Sequence, residues 1–253
     1  TKKRSHLGSS HLDTFTISSG DMAAVSLLSL AAAGDWAVIT GASTGIGRQL
    51  ALEAAREGYN VVLTARRAPL LQKLAAEIEA EHAVATRVCA GCLTDAKFVE
   101  RLRGAAPGSV SLLVANAGCG MEGDAVAAPR ARVRSMLELN VLSTTQVCHL
   151  FASDFVRDRR GRVLLVSSLT SAVPMPGGAA YAASKSYVRS FAGALRDEVR
   201  APARRVEVVV YYLRPYQREE RRPQHRFRRS WGPAGPGRRE RARALLMASA
   251  TSR

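Results

Sequence analysis

Aromatic residues are scarce in this chain: they make up 6% of 253 residues, while 47% are hydrophobic. The core must therefore be aliphatic, and Ala, Val and Leu dominate, as expected of helices packed on a parallel sheet. Cysteine is also sparse, and Cys89, Cys92, Cys119 and Cys148 show no disulfide framework. Cys89-Ala-Gly-Cys92 has redox or zinc spacing, but no second such pair and no His pair completes a site, so small residues at a strand end are the simpler reading. A reduced, intracellular compartment fits this usage, and the cytoplasm is the expected location. The apolar run Met22 to Ala33 is too short to span a bilayer. A targeting peptide, an interfacial membrane-associated helix and a plain packing helix all fit it, and Met22 is itself a candidate start.

Acidic charge is the third shortage. The chain holds 37 Lys and Arg against 21 Asp and Glu, a net charge of +16. Twelve Arg against three Glu give residues 211–253 a charge of +9, residues 1–34 carry +1, and +6 remains for residues 35–210. The excess therefore belongs mainly to a tail. Its arginines, with Tyr216, Phe227 and Trp231 interleaved, would attract phosphates. A solvated basic tail is the simpler explanation, and no nucleic-acid partner is expected. That tail is rich in Arg, Pro and Gly and lacks aliphatic periodicity, so disorder or a loose loop is expected there, with a short helix over Arg239 to Ala250.

Between these ends, short β-branched runs alternate with amphipathic stretches. Strands are expected at Ala37–Thr40, Asn60–Ala65, Val84–Cys89, Val110–Val114, Arg162–Val166 and Val206–Tyr211. Helices are expected from Ile46 to Arg56, from Pro69 to Glu81, up to Arg103 behind an Asp95 cap, over Ala131–Arg157 as one long element, and over Ala179–Val199. This alternation predicts βαβ units with right-handed crossovers, hence an α/β fold of Rossmann type with a doubly wound parallel sheet. The expected organisation is an extension over 1–34, a dinucleotide-binding and catalytic domain over 35–212, and an atypical tail over 213–253.

Two patterns carry the chemistry. Thr40-Gly41-Ala42-Ser43-Thr44-Gly45-Ile46-Gly47 falls where a strand becomes a helix. Glycines there allow a tight turn and close approach of backbone to a pyrophosphate, which the helix N-terminus favours. At the end of the second strand an acid would bind a ribose 2′-hydroxyl, whereas a guanidinium accommodates a 2′-phosphate. Thr64-Ala65-Arg66-Arg67 offers no acid and two bases, so NADP is the expected cofactor, with Arg66 the principal ligand and Arg67 secondary. Tyr181 and Lys185 stand four residues apart, on one helix face. A phenol titrates near pH ~10 and needs a neighbour to become a useful acid or base. His149, on the long helix, reads as a packing or surface residue.

Residues 36–210 resemble the short-chain dehydrogenase/reductase family. The resemblance rests on TGASTGIG, Asn116-Ala117-Gly118 after the fourth strand, Asn140 within LELNV, Ser168 within LLVSS, and Tyr181-x-x-x-Lys185. It implies an NADP(H)-dependent oxidoreductase interconverting a carbonyl and a secondary alcohol, similar to the family's broad carbonyl-reducing members. Tyr181 would be the general acid in reduction. Lys185 would lower its pKa and hold the nicotinamide ribose, Ser168 would polarise the substrate oxygen, and Asn140 would anchor a water leading to Lys185. Gly41, Ser43, Thr44, Gly45, Ile46, Gly47, Arg66, Asn116, Ala117 and Gly118, with Tyr181 and Lys185, would hold the cofactor. No metal site is implied, and the family's habits imply a homo-oligomer built through the two long helices.

The sequence also departs from the family pattern. Cys92-Leu-Thr-Asp95 stands where an acid often contacts adenine. After the sixth strand, Tyr211-Tyr-Leu-Arg-Pro215-Tyr216 lacks the usual Pro-Gly turn, and no seventh strand or substrate lid follows; the break resembles a change of reading frame. A catalytically impaired dinucleotide-binding protein is therefore the alternative reading. The stretch Val173-Pro-Met-Pro-Gly-Gly178 suggests an apolar wall and a moderately hydrophobic carbonyl substrate.

Overall fold

The computed structural model describes residues 15–16, 31–200 and 205–213. Much of the apolar run 22–33 and the whole segment 214–253, with its expected helix, lie outside the described residues. Every described residue belongs to the first of two compact units, Thr1–Pro215.

The principal strands are β2 (Trp36–Thr40), β3 (Asn60–Ala65), β4 (Thr86–Ala90), β5 (Val110–Ala115), β6 (Arg160–Ser168) and β7 (Arg205–Leu213), after a two-residue β1 at Phe15–Thr16. All pair in parallel, in the order β1-β7-β6-β5-β2-β3-β4. The chain leaves β2 in one direction toward β3 and β4, then restarts beside β2 at β5 and runs the other way. This doubly wound order makes the carboxyl ends of β2 and β5 the topological switch point, where such sheets bind ligands.

The helices are α1 (Gly45–Arg56), α2 (Ala68–Glu81), α3 (Ala96–Arg103), α4 (Arg130–Leu137), α5 (Thr144–Arg157) and α6 (Ala179–Val199). Alternate residues of each central strand feed two cores. Ala37, Ile39, Leu112 and Val114 meet Leu50 and Ala54 of α1 and Leu71 and Leu74 of α2 on one face. Val38, Leu113, Val163 and Leu165 meet Phe98 of α3, Phe151 and Phe155 of α5, and Val188 and Ala192 of α6 on the other. Near-continuous burial on both faces is why these strands read as unbroken Val/Ile/Leu runs.

Three elements differ from the sequence reading. The third strand begins at Thr86 rather than Val84. The single long helix expected over 131–157 is two helices joined by a π-helical turn, Glu138–Ser143. Hydroxyls support that turn: Ser143 Oγ donates to the Glu138 carbonyl at 2.8 Å and Thr145 Oγ1 to the Val141 carbonyl at 2.9 Å. The third difference is at the sheet edge beyond β7, where Phe15 and Thr16 pair with Tyr211 and Tyr212. This edge strand comes from the N-terminal extension, for which no strand was expected.

At the amino ends of the central strands, Asp35 is 4% exposed. It accepts from Ser111 Oγ at 2.8 Å, from the Ala32 N–H at 2.9 Å and from Arg160, which ties β2, β5 and β6 together. Burying a carboxylate is costly unless it is paired and hydrogen-bonded in this way.

Candidate active site

The opposite, carboxyl ends of the strands carry the motif residues. Gly41 adopts φ +69, a left-handed conformation that favours glycine. Thr40 Oγ1 donates to the Val114 carbonyl at 3.1 Å and accepts the N–H groups of Asn116 and Ala117 at 3.0 and 2.9 Å. Asn116 Nδ2 donates in turn to the Thr40 carbonyl at 2.8 Å. One hydroxyl and one carboxamide thus lock the ends of β2 and β5 together. Gly47 packs so closely that an added Cβ would lie 2.3 Å from the Gly41 carbonyl oxygen.

These ends border a cavity of about 450 Å³, lined by Gly41, Ser43, Thr44, Arg66, Arg67, Ala117, Gly118 and Cys119 among others. Its size is within the range of cofactor sites. The N-terminus of α1 opens beside it with no acidic residue in its first turn, and the Thr44 side chain makes no capping bond. Its N–H groups are therefore oriented to receive an anion. Arg67 donates to Ser43 Oγ at 2.9 Å and Thr44 Oγ1 at 3.0 Å, and Arg66 lines the same wall. The donor set matches a phosphate-bearing dinucleotide. Cys92 and Thr94 also border this cavity, while Asp95 caps α3 by accepting from the Lys97 N–H at 3.0 Å. Gly45, Ile46, Gly47 and Asn116, also expected to hold the cofactor, do not line this cavity: Gly45 and Ile46 are exposed, while Gly47 and Asn116 pack against the Gly41 turn.

Past Gly118 the remaining candidates converge. Ser168 ends β6, is 3% exposed, and is hydrogen-bonded to the Tyr181 phenol. Lys185, one turn further along α6, is 7% exposed, and its Nζ donates to the Val166 carbonyl at 2.9 Å. A Cβ on Gly118 would sit 3.5 Å from that ammonium and 3.1 Å from Asn140 Oδ1, so glycine is what lets these groups meet.

Asn140 lies within the π-helical turn and is 1% exposed. Its Oδ1 accepts from the Cys119 N–H at 2.9 Å, and its Nδ2 donates to the Cys119 carbonyl at 3.0 Å and to Ser184 Oγ at 3.1 Å. The side chain thus splints the loop after β5, and both amide protons have protein partners. π-Turns recur at functional sites.

The titration of the pair differs from expectation. Burial pushes the Tyr181 phenol above its ordinary range, and its hydrogen bond from Ser168 acts the other way. Burial pushes Lys185 down to about 8. The expected lowering of the Tyr181 pKa by Lys185 is thus not the prevailing effect in this arrangement: the ammonium bonds a backbone carbonyl and is itself desolvated. His149 is exposed on α5. Among the described residues no His, Cys, Asp and Glu cluster could hold a metal, and no helix is long and apolar enough to cross a membrane.

Sequence reading passed over Thr40, Thr170 and Ser184, all of which bond to site residues. The only signal for them was small hydroxyl residues at strand ends and beside Lys185.

The family profile described as short chain dehydrogenase matches residues 35–216. A very-long-chain 3-oxoacyl-CoA reductase from Laccaria bicolor is 37% identical over 188 residues, which is 72% of this chain and 54% of that protein. The chain thus spans about half the length of the curated relatives it matches. A metagenomic short-chain oxidoreductase solved in complex with NADP superposes with a TM-score of 0.66 at 30% identity, covering 73% of this chain and 83% of that one. A Sphingobium yanoikuyae short-chain dehydrogenase in complex with NADPH gives a TM-score of 0.67 at 27% identity, covering 71% of each chain.

Proposed function

Given that this chain belongs to the short-chain dehydrogenase family, we propose that it interconverts a carbonyl and a secondary alcohol using NADP(H). The observation that carries the reading is the hydrogen-bonded Ser168–Tyr181 pair, with Lys185 one helical turn on, at the end of a glycine-walled cavity. Gly41, Ser43, Thr44, Ala117 and Gly118 would hold the dinucleotide, with Gly45, Ile46, Gly47 and Asn116 fixing their geometry. Arg66 and Arg67 supply the positive charge that a 2′-phosphate requires, and no acid stands beside them to favour NAD. Bound there, the reduced nicotinamide supplies a hydride.

The chain's own groups do the rest. Tyr181 gives its phenolic proton to the carbonyl oxygen. Ser168 donates a hydrogen bond to the same oxygen, where negative charge develops. Lys185, one helical turn along α6, would favour the phenolate left behind, and Asn140 keeps the Cys119 loop in place. A phenol pushed upward by burial is a poor acid alone, so full activity requires the cation to act on it in the working complex.

The substrate is a moderately hydrophobic carbonyl. Val173, Pro174 and Met175 border a second, largely apolar cavity of about 540 Å³ alongside α6. The Laccaria relative, named a 3-oxoacyl-CoA reductase, makes a 3-oxoacyl group a reasonable first substrate to assay. NADPH-coupled turnover on a carbonyl panel, run beside Tyr181→Phe, tests the proposal. Turnover lost in the variant supports it, and equal rates refute the assigned acid. NADPH binding without wild-type turnover would favour an impaired dinucleotide-binding protein.

A further inference from the structure

One half of the sheet is covered by more than its described helices supply. On the first face α1 and α2 lie over β2, β3 and β4. From the opposite face α5 packs on β5 and β6, and α6 on β6 and β7. Leu164 and Val166 of β6 and Tyr211 of β7 belong to the first face, yet they are only 1%, 3% and 4% exposed. β7 is three strands from β2, about 14 Å away at the usual strand spacing. A helix about 10 Å across, seated over β2 and β3, does not extend that far. Another segment must exclude water there.

Strand order identifies it. Connections that run toward β4 along the sheet, through α1 and α2, lie on the first face. Those that run the other way, through α3, α5 and α6, lie on the second, as right-handed crossovers require. β1 is parallel to β7 at the far edge, so the connection from Thr16 to Trp36 also runs toward β4. The same handedness sends it across the first face, over β7, β6 and β5. Most of that connection lies outside the described residues, but its sequence suits the task. Met22–Ala33 is twelve residues without a charge, whereas residues 211–253 carry +9. Asp21 precedes the run as a capping residue, and Gly34 follows it at φ +85, the conformation that ends many helices. A helix over this run would be about 18 Å long, against about 17 Å for the five-residue β2. Ala31 packs on the first core. At helical spacing Ala24, Leu27 and Leu28 share its side, while Ser26 and Ser29 fall on the other.

We propose that Met22–Ala33 is the crossover helix between β1 and β2, laid with Leu27, Leu28 and Ala31 against the β6–β7 half of the first face. The run is then an integral part of the fold, not a targeting or membrane-associated segment. The inference rests on the sheet and is independent of the reductase reading.

In the full chain, Leu28→Ala should lower Tm by about 5–15 °C, the effect of truncating a buried leucine in a domain of this size. Ser29→Ala should stay within about 2 °C of wild type. Adjacent leucines of β6 then identify the surface, since Leu164 faces the first core and Leu165 the second. In double-mutant cycles by chemical denaturation, Leu28→Ala should couple to Leu164→Ala by at least about twofold in the folding equilibrium constant and add independently to Leu165→Ala. Leu164→Val and Leu165→Val replace them if a double variant does not fold. A Leu28→Ala protein that melts like wild type overturns the proposal, as does equal coupling to both leucines. Unchanged melting with lost binding to anionic phospholipid vesicles would make the run a membrane segment. Coupling of Leu245→Ala to Leu164→Ala in place of Leu28→Ala would assign the face to the tail. Either result also overturns it.

Discussion

Gly47→Ala puts the largest local strain on the candidate site for the smallest chemical change. The new methyl would lie 2.3 Å from the Gly41 carbonyl oxygen, 2.8 Å from the Gly41 carbonyl carbon and 2.4 Å from Asn116 Nδ2. Two of these are backbone atoms of the turn bordering the cavity, and Asn116 is held by its bonds to the Thr40 and Gly41 carbonyls. Nothing there can rotate aside, so α1 and the turn must separate. Overpacking of this kind costs about 1–3 kcal/mol. In a domain of this size that lowers Tm by roughly 2–4 °C per kcal/mol, hence about 5 °C. The displaced Gly41 wall should also weaken NADPH binding about tenfold, equivalent to about 1.4 kcal/mol. Calorimetry and a nicotinamide-fluorescence titration read the two effects. Gly193→Ala is the control: Gly193 lies inside α6, and a Cβ there meets nothing within 4 Å. It should raise stability by up to about 1 kcal/mol, because glycine is a poor helix former. If Gly47→Ala melts and binds like wild type, the glycine turn does not shape the cavity as argued.

Replacing Arg66 and Arg67 together by Ala should weaken NADPH binding about tenfold or more while leaving NADH nearly unchanged, since only the former carries the 2′-phosphate; equal losses for both would remove the phosphate assignment. Lys185 yields a stability prediction. Its folded value of about 8 lies below the ordinary 10.5, so the unfolded chain binds more protons between those values. The penalty for burying the ammonium is therefore fully present below pH ~8 and is relieved as pH rises toward ~10.5. Relative to Lys185→Met, the wild type should gain stability across that window, on the order of 2–3 kcal/mol. Parallel pH curves from chemical denaturation would show that the ammonium is not desolvated.

Much of this was legible in the residues themselves. Short β-branched runs and period-3.6 hydrophobicity place the six main strands and most of the helices within a few residues, because central strands buried on both faces must be apolar throughout. Gly41, Gly45 and Gly47 mark the strand-to-helix turn, the first two because few other residues tolerate their positive φ and the third because a Cβ there would strike the Gly41 carbonyl. Tyr181 and Lys185 fall on one side of α6 by helical spacing alone. What depended on folding is contact between distant segments. Asp35 meets Arg160 across 125 positions, Thr40 Oγ1 bridges 74 positions to the Val114 carbonyl, and Phe15 and Thr16 reach the edge of β7. The π-turn that carries Asn140 leaves no hydrophobic signature, since one extra residue in a helical turn barely disturbs the apolar stripe. The opposing displacements of Tyr181 and Lys185 come from burial and partner geometry, which exist only once the strands and α6 have packed.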